Sequence, residues 1–216
     1  MARLTARVAA AGLLDRCDPD SDSDYDGGSA DDYEYGGLHT LPEGFGRLAY
    51  LPRPGLRKLY ISDNGRLGAL LDGLCSLVGL EELSLDSCGL RALPEGIGAL
   101  TGLRKLALSH NRELVTLPGG LWSLVGLEAM WLAGCVLTAL PEGLCSLVGL
   151  GLLDLQSCGL LQALPEGIGA LAGLWKLDVT FSTGLTALPA GLGRLRNLKE
   201  LDVNGCPGLA AALAIL

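Results

Sequence analysis

The sequence predicts an α/β solenoid, with a curved parallel sheet on the concave face and short 3₁₀ or α turns on the convex face, in about seven stacked units. Three observations carry this. The octapeptide "GLCSLVGL" occurs at residues 73–80 and again at 143–150. A Leu-Pro step or its equivalent returns at Leu70, Leu93, Leu117, Leu140, Leu164 and Leu188, at intervals of 23 or 24. A small polar residue keeps the same beat at Asn64, Cys88, Asn111, Cys135, Cys158, Ser182 and Cys206. A fixed period of this size marks a repeat architecture in which each unit touches only its neighbours. The duplicated octapeptide lies three units apart, so it is a piece of construction and not a site used twice.

Each unit can be read in order. In "LEELSLDSC", Leu83 and Leu85 alternate with Glu82, Ser84 and Asp86, the pattern of a strand with one buried face. The Asn or Cys that follows turns the chain inward, where a small polar side chain can bond loop backbone that would otherwise go unpaired. Next comes "LPEGIGAL" or "LPEGLCSL". Proline suits the first turn of a helix, where it has no amide hydrogen to lose. Ile97, Leu100 and Leu103, or Leu144, Leu147 and Leu150, are spaced by three, which suits a short turn pointing inward. The glycines argue against a long helix. The first unit departs from the pattern: Leu48 to Leu56 takes eight residues where Leu100 to Leu103 takes three, predicting a bulging loop around Pro52 and Pro54.

The run L-x-x-L-x-L-x-x-N/C, in "LRKLALSHN", "LEAMWLAGC" and "LKELDVNGC", resembles the leucine-rich repeat. The form "LPEGIGALTGLRKLALSHN" is similar to the Ras-group type of Scribble-like scaffolds. The cysteine variants and "LSHNRELVTLP" are similar to the repeats of plant disease-resistance receptors. The resemblance covers residues 38–216 and leaves out 1–37. It implies protein–protein interaction, as an intracellular scaffold or adaptor in signalling. The alternative it implies is the sensor or recognition fragment of a larger receptor or kinase.

Charge divides the chain in the same place. Residues 18–34 hold eight acids and no Lys or Arg, whereas residues 38–216 hold 13 bases and 15 acids. Residues 1–37 are therefore expected to be a disordered segment carrying an acidic low-complexity tract. The Arg-bearing residues 1–17 leave a targeting segment open as an alternative. Alternating Asp20, Asp22 and Asp24 suggest a calcium loop, but the glycine and distal glutamate stand at the wrong offsets. A nearly neutral body offers no basic surface to nucleic acid, and no apolar run reaches the length of a membrane span. Of seven cysteines, Cys88, Cys135, Cys158 and Cys206 fall on the repeat ladder and Cys75 and Cys145 on equivalent turn positions. With no glycosylation sequon, this predicts a reduced, cytoplasmic chain. Gly96-x-Gly98 and Gly167-x-Gly169 recur with the repeat and lack the rest of a phosphate loop. His110 beside Asp86 and Ser109 lacks the buried, oriented base of a triad. No enzyme, cofactor or metal site is read here.

Successive strands stack equivalent residues into columns on the concave face. One column reads Tyr60, Ser84, Ala107, Trp131, Asp154, Asp178, Asp202, and another places Phe181 close by. Trp131 is flanked by the small residues Ala129, Ala133 and Gly134, which predicts room for a partner's side chain. The expected partner is a protein or peptide, held by Tyr60, Trp131, Asp154, Asp178, Phe181 and Asp202. Glu95, on the convex side, is the reference position expected to be mute. The apolar ending "GLAAALAIL" predicts self-association through the C-terminal end.

Overall fold

The protein is described here from a computed structural model, in residues 5–7, 38–41 and 55–209. Strands β2 (Lys58–Tyr60), β3 (Glu82–Ser84), β4 (Lys105–Ala107), β5 (Ala129–Trp131), β6 (Leu152–Asp154), β7 (Lys176–Asp178) and β8 (Glu200–Asp202) pair in parallel, each with the next. Every pairing joins equivalent positions, as in Leu59 with Leu83 and Leu153 with Leu177. The 23- or 24-residue period is therefore absorbed in the loops and never shifts the register. An eighth strand, β1 (Thr5–Arg7), adds to the free edge of β2. The repeat pattern gives no sign of it. Residues 8–37, with the acidic tract, and 42–54, with the expected bulge at Pro52 and Pro54, lie outside the described residues.

The convex layer consists of five-residue 3₁₀ turns, such as Glu95–Ala99, Glu142–Ser146 and Glu166–Ala170. Proline sits one position earlier than expected. Pro94, Pro141 and Pro165 are the extended cap residues just before the turn, and each carbonyl accepts the turn's first hydrogen bond, as from Ile97 N at 3.0 Å. The first acid of the turn bonds forward into the next unit. Glu142 Oε1 and Oε2 accept from Glu166 N at 3.0 Å and Gly167 N at 3.1 Å, and Glu95 Oε2 accepts from Gly120 N at 3.2 Å. Glu95 is thus a structural cap on the convex side. The turns pack backbone to backbone: a Cβ at Gly98 would collide with the Gly120 carbonyl.

Between sheet and turns lies a leucine core. Leu59, Leu83, Leu106, Met130, Leu153 and Leu177 on the strands are buried, as are Leu74, Ile97, Leu121, Leu144 and Ile168 on the turns. Each such side chain contributes about 1.5–3 kcal/mol, but only because the neighbouring unit covers it. In β8 the equivalent Leu201 is 40 % exposed.

The polar ladder runs through this core. Asn111 Nδ2 donates to Leu85 O at 3.0 Å and Leu108 O at 2.7 Å, while its Oδ1 accepts from Cys88 N at 3.1 Å and Leu90 N at 3.0 Å. Ser182 Oγ donates to Leu155 O at 2.7 Å and accepts from Cys158 N at 3.0 Å. The thiols of Cys88, Cys135 and Cys158 each donate at 3.2 Å to a carbonyl of the preceding unit, Ile61, Leu108 and Leu132 respectively. Burial pushes the Cys88 and Cys135 thiols up to about 11 and that of Cys158 up to about 12. They remain protonated donors. The six described cysteines are all free.

Candidate interaction site on the concave face

A three-residue strand turns its middle residue inward and its two flanking residues toward the concave face. Register therefore brings Tyr60, Trp131, Asp154, Asp178 and Asp202 into one column, with Ser84 and Ala107 between the two aromatics. Phe181 is not in it. It follows β7 in a left-handed corner (φ 57°), 57 % exposed. Its ring occupies the space where Gly205 would carry a Cβ.

The aspartates share one local geometry. Asp154 Oδ1 accepts from Gln156 N at 2.9 Å, Asp178 Oδ1 from Thr180 N at 2.9 Å and Asp202 Oδ1 from Asn204 N at 3.0 Å. One oxygen of each carboxylate thus braces the end of its own strand. Burial, and then the Asp178 charge, raises the pKa of Asp154, whereas the Asn204 amide lowers that of Asp202.

A second column matters as much, and counting only positions after the central leucine misses it. It reads Lys58, Glu82, Lys105, Ala129, Leu152, Lys176, Glu200. Glu82 Oε1 lies 2.9 Å from Lys58 Nζ and 3.3 Å from Lys105 Nζ, and Glu82 Oε2 accepts from the Tyr60 hydroxyl at 2.7 Å. Burial opposes ionisation of Glu82, but its bonds from Lys58, Tyr60 and Lys105 outweigh it and hold the carboxyl down at about 2. Further along, Lys176 pairs with Glu200 at 2.7 Å. The signal was available in the sequence: opposite charges exactly one repeat apart face each other across neighbouring strands.

The room beside Trp131 is also not where its small neighbours suggest. Ala129 and Ala133 are buried, and the place of a Gly134 Cβ is taken by His110, whose Nδ1 would stand 2.7 Å away. The open space lies on the other side. A cavity of about 330 Å³ extends from Trp131 to Tyr60, floored by Ser84 and Ala107 and edged by Glu82, Asp86 and Lys105. Asp86 Oδ1 accepts from Ser109 N at 2.7 Å and Oδ2 from Ser84 Oγ at 3.1 Å. Among the described residues no cluster of His, Cys, Asp or Glu could hold a metal ion, and no helix is long and apolar enough to cross a membrane.

In-register parallel strands, a buried Asn/Cys/Ser ladder and a convex layer of 3₁₀ turns define the leucine-rich repeat fold, and this chain is a leucine-rich repeat protein. No protein-family model and no curated protein sequence matches it. Among solved structures it is similar to the leucine-rich repeat domain of the type III effector XopL, at 28 % identity with a TM-score of 0.63, over 83 % of this chain and 70 % of that one. It is also similar to a leucine-rich repeat protein of Leptospira interrogans, at 28 % identity and a TM-score of 0.54, over 78 % of this chain and 53 % of that one.

Proposed function

We propose that this protein is an interaction scaffold or adaptor in intracellular signalling, and that its concave face receives a basic, partly apolar peptide or protein surface. The observation that carries this is the run Asp154, Asp178, Asp202 beside Trp131. Like charges on adjacent strands destabilise a sheet, and Asp154, Asp178 and Asp202 stand on three successive strands. A cationic partner would relieve the repulsion, and the Trp131 ring would supply buried area and cation–π attraction. The thiols engaged with core carbonyls support a reducing, cytoplasmic setting, since oxidation would remove those donors.

The test is an affinity capture with the full chain as bait, followed by titration of the captured partner. Trp131→Ala is expected to weaken binding by about 2 kcal/mol while changing stability by less than about 0.5 kcal/mol. Asp178→Lys is expected to slow association and flatten its salt dependence. Glu166→Gln, an exposed convex carboxylate, is the control. Unchanged binding by both concave variants would remove the site from this face.

Two further readings have an observation behind them. Likeness to a domain of an effector supports the alternative that this chain is the recognition part of a larger receptor or kinase. The exposed Leu201 on β8 supports self-association through that end, which sedimentation at rising concentration would reveal.

A further inference from the structure

The geometry points to the cavity between Tyr60 and Trp131 as a socket for one arginine side chain of the partner; this rests on the concave-face reading and specifies what that face selects. The cavity spans three strand spacings, or about 14 Å, because Ser84 and Ala107 are too small to fill the floor between the two aromatic walls. Its volume of about 330 Å³ sits at the lower end of ligand pockets. That suits a single side chain better than a cofactor.

The charges decide which side chain. At one edge Glu82 is already paired with Lys58 and Lys105 and bonded by the Tyr60 hydroxyl, so it offers a ligand no uncompensated charge. At the other edge Asp86 forms no ion pair among the described residues. Its two oxygens each accept one bond, from Ser109 N and Ser84 Oγ. An ionised carboxylate accepts about four, which leaves one acceptor site on each oxygen. A carboxylate with an acceptor site left on each oxygen can take the two N–H groups on one edge of a guanidinium. A lysine ammonium could bond the same carboxylate but would use the pair less well, and it is more strongly hydrated. The methylene stem of the arginine would lie on Ala107 and against Trp131, away from Lys105 at the opposite edge. Partly buried Asp86 has no salt-bridge partner among the described residues, and the partner's arginine supplies one.

The experiment is selection from a displayed library of random heptapeptides with the full-length protein. The expected result is enrichment of arginine at one fixed position. In the best peptide, replacing that arginine by lysine or by neutral citrulline should weaken binding about tenfold or more. Asp86→Asn should bring the same loss, because the amide oxygen can still accept from Ser109 N while the charge and one acceptor are gone. Ala107→Leu fills the floor without touching any charge, and it should also abolish the arginine preference. Urea midpoints establish that both variants remain folded, and Glu166→Gln should select the same peptides as the parent. Peptides that depend on Trp131 but show no arginine preference would overturn the socket and leave the concave-face reading standing. Peptides indifferent to Trp131→Ala, or no enrichment at all, would overturn both.

Discussion

Asn111 in the buried ladder and Asp86 on the concave face lie in neighbouring repeats, and both hold loop backbone in place. Their side chains are used differently. All four bonds of Asn111 end on protein backbone: two carbonyls and two amides. Asp86 bonds Ser109 N and Ser84 Oγ and keeps an acceptor site on each oxygen. The same contrast separates the two regions as wholes. In the ladder, polar atoms are enclosed, and a missing partner there has no water to replace it. On the concave face Asp154, Asp178 and Asp202 each brace their own strand through one oxygen. Enclosed, satisfied polar groups serve the fold. Polar groups with capacity left over are available to a partner.

The contrast is broken most severely by removing a ladder residue. Asn111→Ala strands the amides of Cys88 and Leu90 and the carbonyl of Leu85, and leaves the Leu108 carbonyl only its bond from the Cys135 thiol; it is expected to cost about 3–4 kcal/mol in chemical denaturation. Asn111→Cys, the residue used at positions 88 and 135, restores a donor but no acceptor, and should recover about 1–2 kcal/mol of that loss. A loss below about 1 kcal/mol for the alanine variant would show that water or relaxation replaces the ladder.

Next in size is the pH response of the paired end of the concave face. Glu82 titrates at about 2 in the folded chain against an ordinary 4.5. Its depressed value means that its contribution is complete above the unfolded pKa and is lost as pH falls from 4.5 towards about 2. Solvent screening holds this to about 1 kcal/mol. The stability gap between the parent and Glu82→Gln should therefore be present at neutral pH and close on acidification. A gap independent of pH would mean that Glu82 acts by packing and not by charge.

The smallest effect belongs to the aspartate column and has the opposite sign. Burial and the neighbouring Asp178 raise the Asp154 pKa above its ordinary 3.8, so ionisation of Asp154 is penalised in the fold. The penalty is absent below the unfolded value and develops as pH rises through the folded one. Asp154→Asn keeps an acceptor for Gln156 N and should stabilise the chain by about 0.5 kcal/mol at neutral pH, with no gain in strong acid. If the variant is instead less stable at neutral pH, the column is part of the fold's own support.

Much of this is legible in the repeat. The period transfers directly into register, because each unit repeats the same path and brings equivalent residues side by side. That is why Tyr60, Trp131, Asp154, Asp178 and Asp202 could be placed in one column from spacing alone. Phe181 falls by the same spacing in a different column, whose residues, from Asp63 to Gly205, share a left-handed corner. The Glu95 and Glu142 caps were hidden because their targets are backbone amides of the following turn, which every sequence possesses.

The sequence by itself determined the solenoid, its register, the inward leucines and the polar ladder, since all of these follow from a repeat whose units must bury one another's apolar faces. Only the tertiary structure decided the rest. It added β1, which obeys no period. It also closed the space beside Gly134 with His110 and opened the cavity between Tyr60 and Trp131. These depend on side chains from different units meeting in space, and a linear pattern records what each unit contains but not how much room its neighbours leave.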